Sequence, residues 1–148
     1  MSVKLFCVFA TLIAFIACPF EASAQAQLKT FPSVDKDGNV TYVEAYEYGQ
    51  VMEKPSFPGG DHLLKTFINT HRHYPEEAYN QRIGGRVCCW FIVNPDGKIS
   101  DVNIVKRVNK FLEEEAIRIF MQMPAWEPGR IDGQAVPVRV IQTIRFSR

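Results

Sequence analysis

From Asp61 onward the apolar positions follow two alternating spacings, and each change of spacing marks an element. Leu63, Leu64, Phe67 and Ile68 recur at helical spacing, with Asp61 placed to cap the helix that carries them. Tyr74-Pro75 stops it, because the residue before a proline disfavours the helical region. Pro75 then serves as the first residue of a second short helix, with Glu76 and Glu77 near its positive end and Ala78 and Tyr79 facing inward, and Gly84-Gly85 ends it. Arg86 to Val93 is rich in strand formers and runs into the turn Asn94-Pro95-Asp96-Gly97, so Lys98 to Val105 is its expected antiparallel partner. The two-residue period puts Val87, Cys89, Phe91 and Val93 on one face, taken as the core, and Cys88, Trp90 and Ile92 on the other. Trp and Ile on that reverse face call for a cover, either the N-terminal arm or a second subunit. Asn109 is a good cap for a third helix whose buried stripe is Leu112, Ala116, Ile119, Phe120 and Met123, and which Pro124 terminates. Glu113, Glu114 and Glu115 read as its solvated start, where the helix dipole favours negative charge.

Trp126, Pro128-Gly129 and Asp132-Gly133 mark an irregular connection with two turns. The chain then closes on a half-exposed strand, Val138, Val140, Ile144 and Phe146 alternating with Arg139, Ile141, Thr143 and Arg145, with Gln142 the one polar residue on its apolar side. The order helices, hairpin, helix, strand predicts an α+β fold with helices packed on one face of a small antiparallel sheet. No internal repeat is visible.

Upstream the pattern is weaker. Residues 25–56 form an arm in which Asp35-Lys36-Asp37-Gly38-Asn39 is a turn signal, with Val40, Tyr42 and Val51 suggesting short strands around it, and Pro55 to Gly60 breaks any regular structure before the globular domain of residues 57–148. Residues 1–24 differ sharply. Lys4, the apolar run Leu5 to Ala17 and the small residues Ala22-Ser23-Ala24 form a secretory signal expected to be cut after Ala24. An uncleaved inner-membrane anchor is the alternative, against which the run is short of the ~20 apolar residues a spanning helix needs. A lipoprotein signal around Phe15-Ile16-Ala17-Cys18 is a third reading, weakened by Pro19 after the cysteine.

Composition narrows the function classes. At 148 residues and 47% apolar the chain has material for one hydrophobic core, and 17 Lys and Arg against 16 Asp and Glu leave no field to attract nucleic acid or an anionic membrane. Cys88 and Cys89, the pair left once the leader is gone, point to opposite faces of a strand, so a bridge between them would distort it. His71 and His73 share one side of an extended segment and could begin a zinc site with Asp61, His62, Glu76 or Glu77, but none of these stands at a ligand spacing. Neighbouring glutamates 113 to 115 point about 100° apart and cannot form a catalytic pair. Ser33, Ser56 and Ser147 lack a nucleophile elbow, and neither Gly59-Gly60 nor Gly84-Gly85 has the spacing of a phosphate loop. The expectation is a protein without catalysis, cofactor, metal or small-molecule substrate.

The ordered set Phe57-Pro58-Gly59-Gly60, Tyr74-Pro75-Glu76-Glu77-Ala78, Gly85-Arg86-Val87, Phe91 through Ile99, Leu112, Glu115-Ala116, Met123 through Gly129 and a closing strand resembles the TonB C-terminal domain family, in the version with Phe-Pro-Gly-Gly similar to that of the Bacteroidetes. The resemblance implies helices on a sheet of about three antiparallel strands. It also implies binding of TonB-dependent outer-membrane receptors, whose TonB-box segment adds as an extra strand beside the last strand of the sheet. Carried over position by position, this marks Val138, Val140, Gln142 and Ile144 on that edge, and Tyr74 and Pro75 as the family's Tyr-Pro pair, as peptide- or receptor-binding residues. Trp126, Pro128 and Gly129 also match and read as fold residues. The chain departs from the family at Thr143, where proline is frequent, and at Gln142, where an apolar residue is. It also lacks the family's long Pro-rich spacer: residues 25–56 fully stretched reach about 110 Å.

These readings predict a periplasmic TonB-like domain that captures extended peptides or receptor segments. The alternatives are a short membrane-anchored energy transducer and a self-associating domain that forms a homodimer through its sheet edge.

Overall fold

The computed structural model describes residues 26–147, so the leader expected over residues 1–24 lies outside the described residues. Among these, no helix is long and apolar enough to cross a membrane. In chain order the elements are β1 (Lys29–Val34), β2 (Val40–Glu47), a 3-10 turn (Tyr48–Gln50), α1 (Gly60–His71), α2 (Glu76–Asn80), β3 (Gly85–Val93), β4 (Ile99–Lys106), α3 (Lys110–Met121), the two-residue strands β5 (Arg130–Ile131) and β6 (Gln134–Ala135), and β7 (Val138–Phe146). The α+β expectation holds. The sheet has five strands in the order β1-β2-β7-β3-β4, not three. β7, β3 and β4 are the antiparallel three that were expected, and the arm supplies the other two.

At the centre β3 and β7 pair antiparallel over nine residues without a break, from Gly85 opposite Phe146 to Val93 opposite Val138. One face of this pair meets the helices: Val87, Cys89, Phe91, Val140, Ile144 and Phe146 interlock with Leu64, Ile68, Leu112, Ala116, Ile119 and Phe120 in the main core. At roughly 1.5–3 kcal/mol for each large apolar side chain fully buried, this cluster dominates the stability of the fold. The reverse face carries a smaller cluster, Trp90 and Ile92 under Phe31 and Ala45 of the arm. The arm, within this chain, is therefore the cover that the apolar reverse face required. It is anchored further across the sheet, where Ser33 Oγ donates to Asp101 (3.0 Å) and the Val34 N–H donates to Asn103 Oδ1 (2.9 Å) on β4.

Several local expectations need correction. The α1 cap is Gly59, in the left-handed region at φ 81°, because the chain turns through a Gly60 N–H to Phe57 carbonyl bond and starts the helix before Asp61, which falls in the first turn. Tyr79 is exposed, since adjacent residues of the five-residue α2 diverge and only Ala78 faces the core. Glu113 and Glu115 are buried, not solvated. Glu113 reaches back to the Val108 N–H at 2.6 Å, satisfying a backbone donor ahead of α3. Asn109 caps α3 as expected, accepting from the N–H groups of Phe111 and Leu112.

Candidate binding edge

A guest strand needs an unpaired backbone row, and the central β3–β7 pair has two flanks that could offer one: the outer side of β4 and the side of β7 that β2 covers only in part. The outer side of β4 is a poor one. Its register against β3 slips twice, and Asp101 lies in the left-handed region at φ 54° in the irregularity between the Trp90–Asn103 and Ile92–Ser100 pairs. Such bulges twist a strand and spoil an edge for pairing. Asp101 and Asn103 are in addition engaged by the arm.

The far side of β7 is different. β2 pairs with it, parallel, only at Tyr46 opposite Val138 and Glu47 opposite Arg139. Past that point the chain leaves through the 3-10 turn, and Val140 to Phe146 has no strand partner on that side among the described residues. Two bonds fix which backbone groups face outward. The Tyr46 N–H donates to the Pro137 carbonyl at 2.9 Å, and the Arg72 guanidinium donates to the Arg145 carbonyl. Residues 137 and 145 are both odd, and in an antiparallel ladder the outward-facing residues alternate with those bonded to the partner. The free N–H and C=O groups of this edge therefore belong to Ile141 and Thr143, with the N–H of Arg145. Their side chains lie on the reverse face and are exposed.

Where β2 ends, a cleft of about 480 Å³ opens against this edge, lined by Glu47, Tyr48, Asp61, Arg139, Ile141 and Gln142 among others. At the opposite end the connector between α1 and α2 closes the edge. Tyr74 packs edge-on against Phe146 with ring centroids 6.1 Å apart, and its hydroxyl donates to the Ile83 carbonyl. Behind the connector stands Glu115 of α3. Its carboxylate accepts from the His73 N–H (2.8 Å) and from two nitrogens of Arg118 (2.8 and 2.6 Å), while Arg118 also donates to the His71 carbonyl (2.6 Å). Burial alone would raise the Glu115 carboxyl. The Arg118 guanidinium and the His73 N–H outweigh it and hold the group below the ordinary carboxylate range, and the same pairing raises Arg118.

The residues singled out from the sequence straddle this edge rather than converge on one point. The side chains of Val138, Val140 and Ile144 are buried in the core face, and the alternation turns their backbone groups toward β3. Val138 is in addition flanked by β2. Gln142 is half-buried and lines the cleft, while Tyr74 and Pro75 lie on the connector at the other end. What sequence reasoning missed is the odd set, Ile141, Thr143 and Arg145, together with Arg72. One signal was available: the proline that the resemblance implies at position 143 lacks an N–H and would suit a residue whose N–H is outside the ladder. The histidines do not converge. His71 stacks on Phe67, centroids 3.9 Å apart, the largely exposed His73 ring turns its Nδ1 to Arg118 (3.1 Å), and among the described residues no three His, Cys, Asp or Glu side chains group closely enough to hold a metal ion.

Residues 70–147, just over half of the chain, match the family described as Gram-negative bacterial TonB protein C-terminal. The chain belongs to the TonB C-terminal family. Its role is accordingly TonB-associated. Two solution structures of the Helicobacter pylori TonB C-terminal domain are similar to it. One, of residues 194–285, shares 24% identity over 60% of this chain and 95% of its own, with a TM-score of 0.43. The other, of residues 179–285, shares 21% over 57% of this chain and 78% of its own, with a TM-score of 0.41. No curated protein matches the chain. The TonB match takes in β7 and the connector but leaves the arm and all but the end of α1 outside, so Glu47, Tyr48 and Asp61 of the cleft come from beyond the family's segment.

Proposed function

We propose that this TonB-type domain is an exported, periplasmic binding module that captures an extended peptide or the TonB-box segment of an outer-membrane receptor as an added strand along β7, without catalysis. The observation that carries the reading is the contrast between the two flanks of the central β3–β7 pair. β7 keeps an unbroken register with β3 and leaves Ile141 and Thr143 unpaired, whereas β4 is bulged and held by the arm. An unpaired backbone row is what β-augmentation requires, because the guest's N–H and C=O groups replace water at an edge that is already straight. The segment division that goes with this reading is a cleaved leader (1–24), an arm (25–56) and the binding domain (57–148).

Titration of the mature protein with TonB-box peptides from receptors of the same organism, followed by backbone amide shifts, tests it. Shifts at Ile141, Thr143 and Arg145 are expected. A folded protein that binds none of the peptides eliminates the reading. Mass spectrometry of the native N-terminus tests the exported state: a mature chain beginning at Gln25 agrees with it, and one that retains Met1 points to the anchored alternative.

A further inference from the structure

The edge is bounded as well as open, and its two ends differ in kind. At the cleft end the stop is a strand, β2, and beside it stands the Asp61 carboxylate. At the other end the stop is a cation: the Arg72 guanidinium occupies the Arg145 carbonyl, the last acceptor a guest ladder would use. Arg72 is held there by its neighbours. Its own N–H closes α1 on the Ile68 carbonyl (2.9 Å), the preceding carbonyl of His71 accepts from Arg118 (2.6 Å), and the following N–H of His73 donates to Glu115 (2.8 Å). The backbone at Arg72 is thus pinned on both flanks by a carboxylate-guanidinium pair that is buried at Glu115 and partly exposed at Arg118, so less freedom is lost when the residue engages a ligand.

Resting on the edge-binding reading, we propose that Arg72 reads the guest: it selects an extended segment carrying an acidic side chain at the position beside Arg145, and Glu115 is the positioning residue that holds Arg72 in place. A guanidinium has five N–H donors in a planar fork, and one carbonyl leaves most of them for a further acceptor. A carboxylate fits that fork with two parallel bonds, which an amide of the same shape does not reproduce. The guest that satisfies both ends is short, spanning Ile141 to Arg145, with its acid at the Arg72 end and a neutral or basic residue near Asp61.

The test takes the tightest peptide from the titration above and remakes it as a series in which each position in turn is Glu or Gln. Wild type is expected to prefer Glu over Gln by about three- to tenfold at one position and to be indifferent elsewhere. Arg72→Gln should still bind both members of that pair but lose the preference, and Arg72→Lys should keep part of it. Glu115→Gln should shrink the preference in wild type and add nothing in the Arg72→Gln background, a coupling that mere loss of stability would not produce. Binding without any charge preference, or a preference that survives Arg72→Gln, overturns the proposal while leaving edge binding intact. Failure of every peptide to bind wild type removes both.

Discussion

The Arg139 guanidinium lies over the Phe31 ring, 4.4 Å from its centroid, and 5.8 Å from the centroid of Trp90. It thereby ties the arm to β7, the strand of the proposed binding edge. Phe31 and Trp90 themselves meet at 6.2 Å. Few buried residues hold the arm on the reverse face, so its attachment should be separable from the main core. Phe31→Ala is expected to cost about 3 kcal/mol, the low end of the range for an aromatic truncated to alanine, because the site borders solvent. Limited trypsin digestion should then cut at Lys36 or Lys29 while Lys98 and Lys106 stay protected. Equal acceleration at all four sites would mean that arm and core unfold as one unit.

The acid limb of stability should report on Glu115. Its carboxyl titrates below the ordinary range when folded, since burial, which raises it, is outweighed by Arg118 and the His73 N–H. A folded-state value below the unfolded one means stability that is fully present above about pH 5 and is lost as pH falls through the folded value. Glu115→Gln removes the charge that Arg118 needs and should cost about 1–3 kcal/mol at pH 7, discounted for the partial exposure of Arg118. It should also flatten the decline between neutral and acid pH. Urea titrations at pH 7 and pH 4 measure both, and an unchanged gap between the two pH values in the variant would contradict the assignment.

Gly97 and Trp126 meet backbone to backbone. Gly97 has φ 84°, its carbonyl accepts from the Trp126 N–H at 2.8 Å, and a Cβ there would sit 2.1 Å from the Trp126 carbonyl oxygen. Gly97→Ala therefore meets both left-handed strain and a clash that no side-chain rotation relieves. A loss of roughly 2–4 kcal/mol is expected. Thermal melting followed by circular dichroism reads it, and a midpoint within a degree of wild type would show that the turn is free to move.

The adjacent cysteines should differ in reactivity. Cys89 is fully buried, and burial first, then the charges of Cys88 and Glu113, push its thiol up to about 12. Cys88 is half-buried on the reverse face. Alkylation of the folded protein at pH 8 with peptide mapping should label Cys88 and spare Cys89, with both labelled in denaturant. Early labelling of Cys89 would require local opening of the β3–β7 pair.

Elements defined by short-range spacing were legible from the sequence. The hairpin turn at Asn94 to Gly97, the Asn109 cap and the buried faces of β3 and β7 each depend on residues a few positions apart, and they stand where the pattern put them. The buried glutamates were not legible, because the partners that make their burial tolerable are remote: His73 lies 42 residues from Glu115. The open edge was half legible. A two-residue period reveals which side chains share a face, but which N–H groups point outward depends on the register between β7 and β3, a relation between segments some fifty residues apart. The side chains of β7 therefore drew attention to the even residues, while the unpaired backbone belongs to the odd ones.

That alternation yields the sharpest test of the edge. The N–H of Thr143 faces outward and that of Gln142 bonds to β3, so proline should be tolerated at one and not at its neighbour. Thr143→Pro is expected to fold with a loss of about 1 kcal/mol or less, since a strand edge accommodates the ring. Gln142→Pro breaks a ladder bond in the middle of the sheet and should cost about 3 kcal/mol or more. In the free wild-type protein the same logic has the amides of Ile141 and Thr143 exchanging with solvent well ahead of Val140, Gln142 and Ile144. Guest binding should then slow the odd amides and leave the even ones unchanged, and Thr143→Pro, having lost one of the two donors central to the edge, should weaken capture without unfolding the sheet. Protection that follows the opposite parity would mean that β7 presents its other backbone row, and that the guest cannot pair where Arg72 now ends the strand.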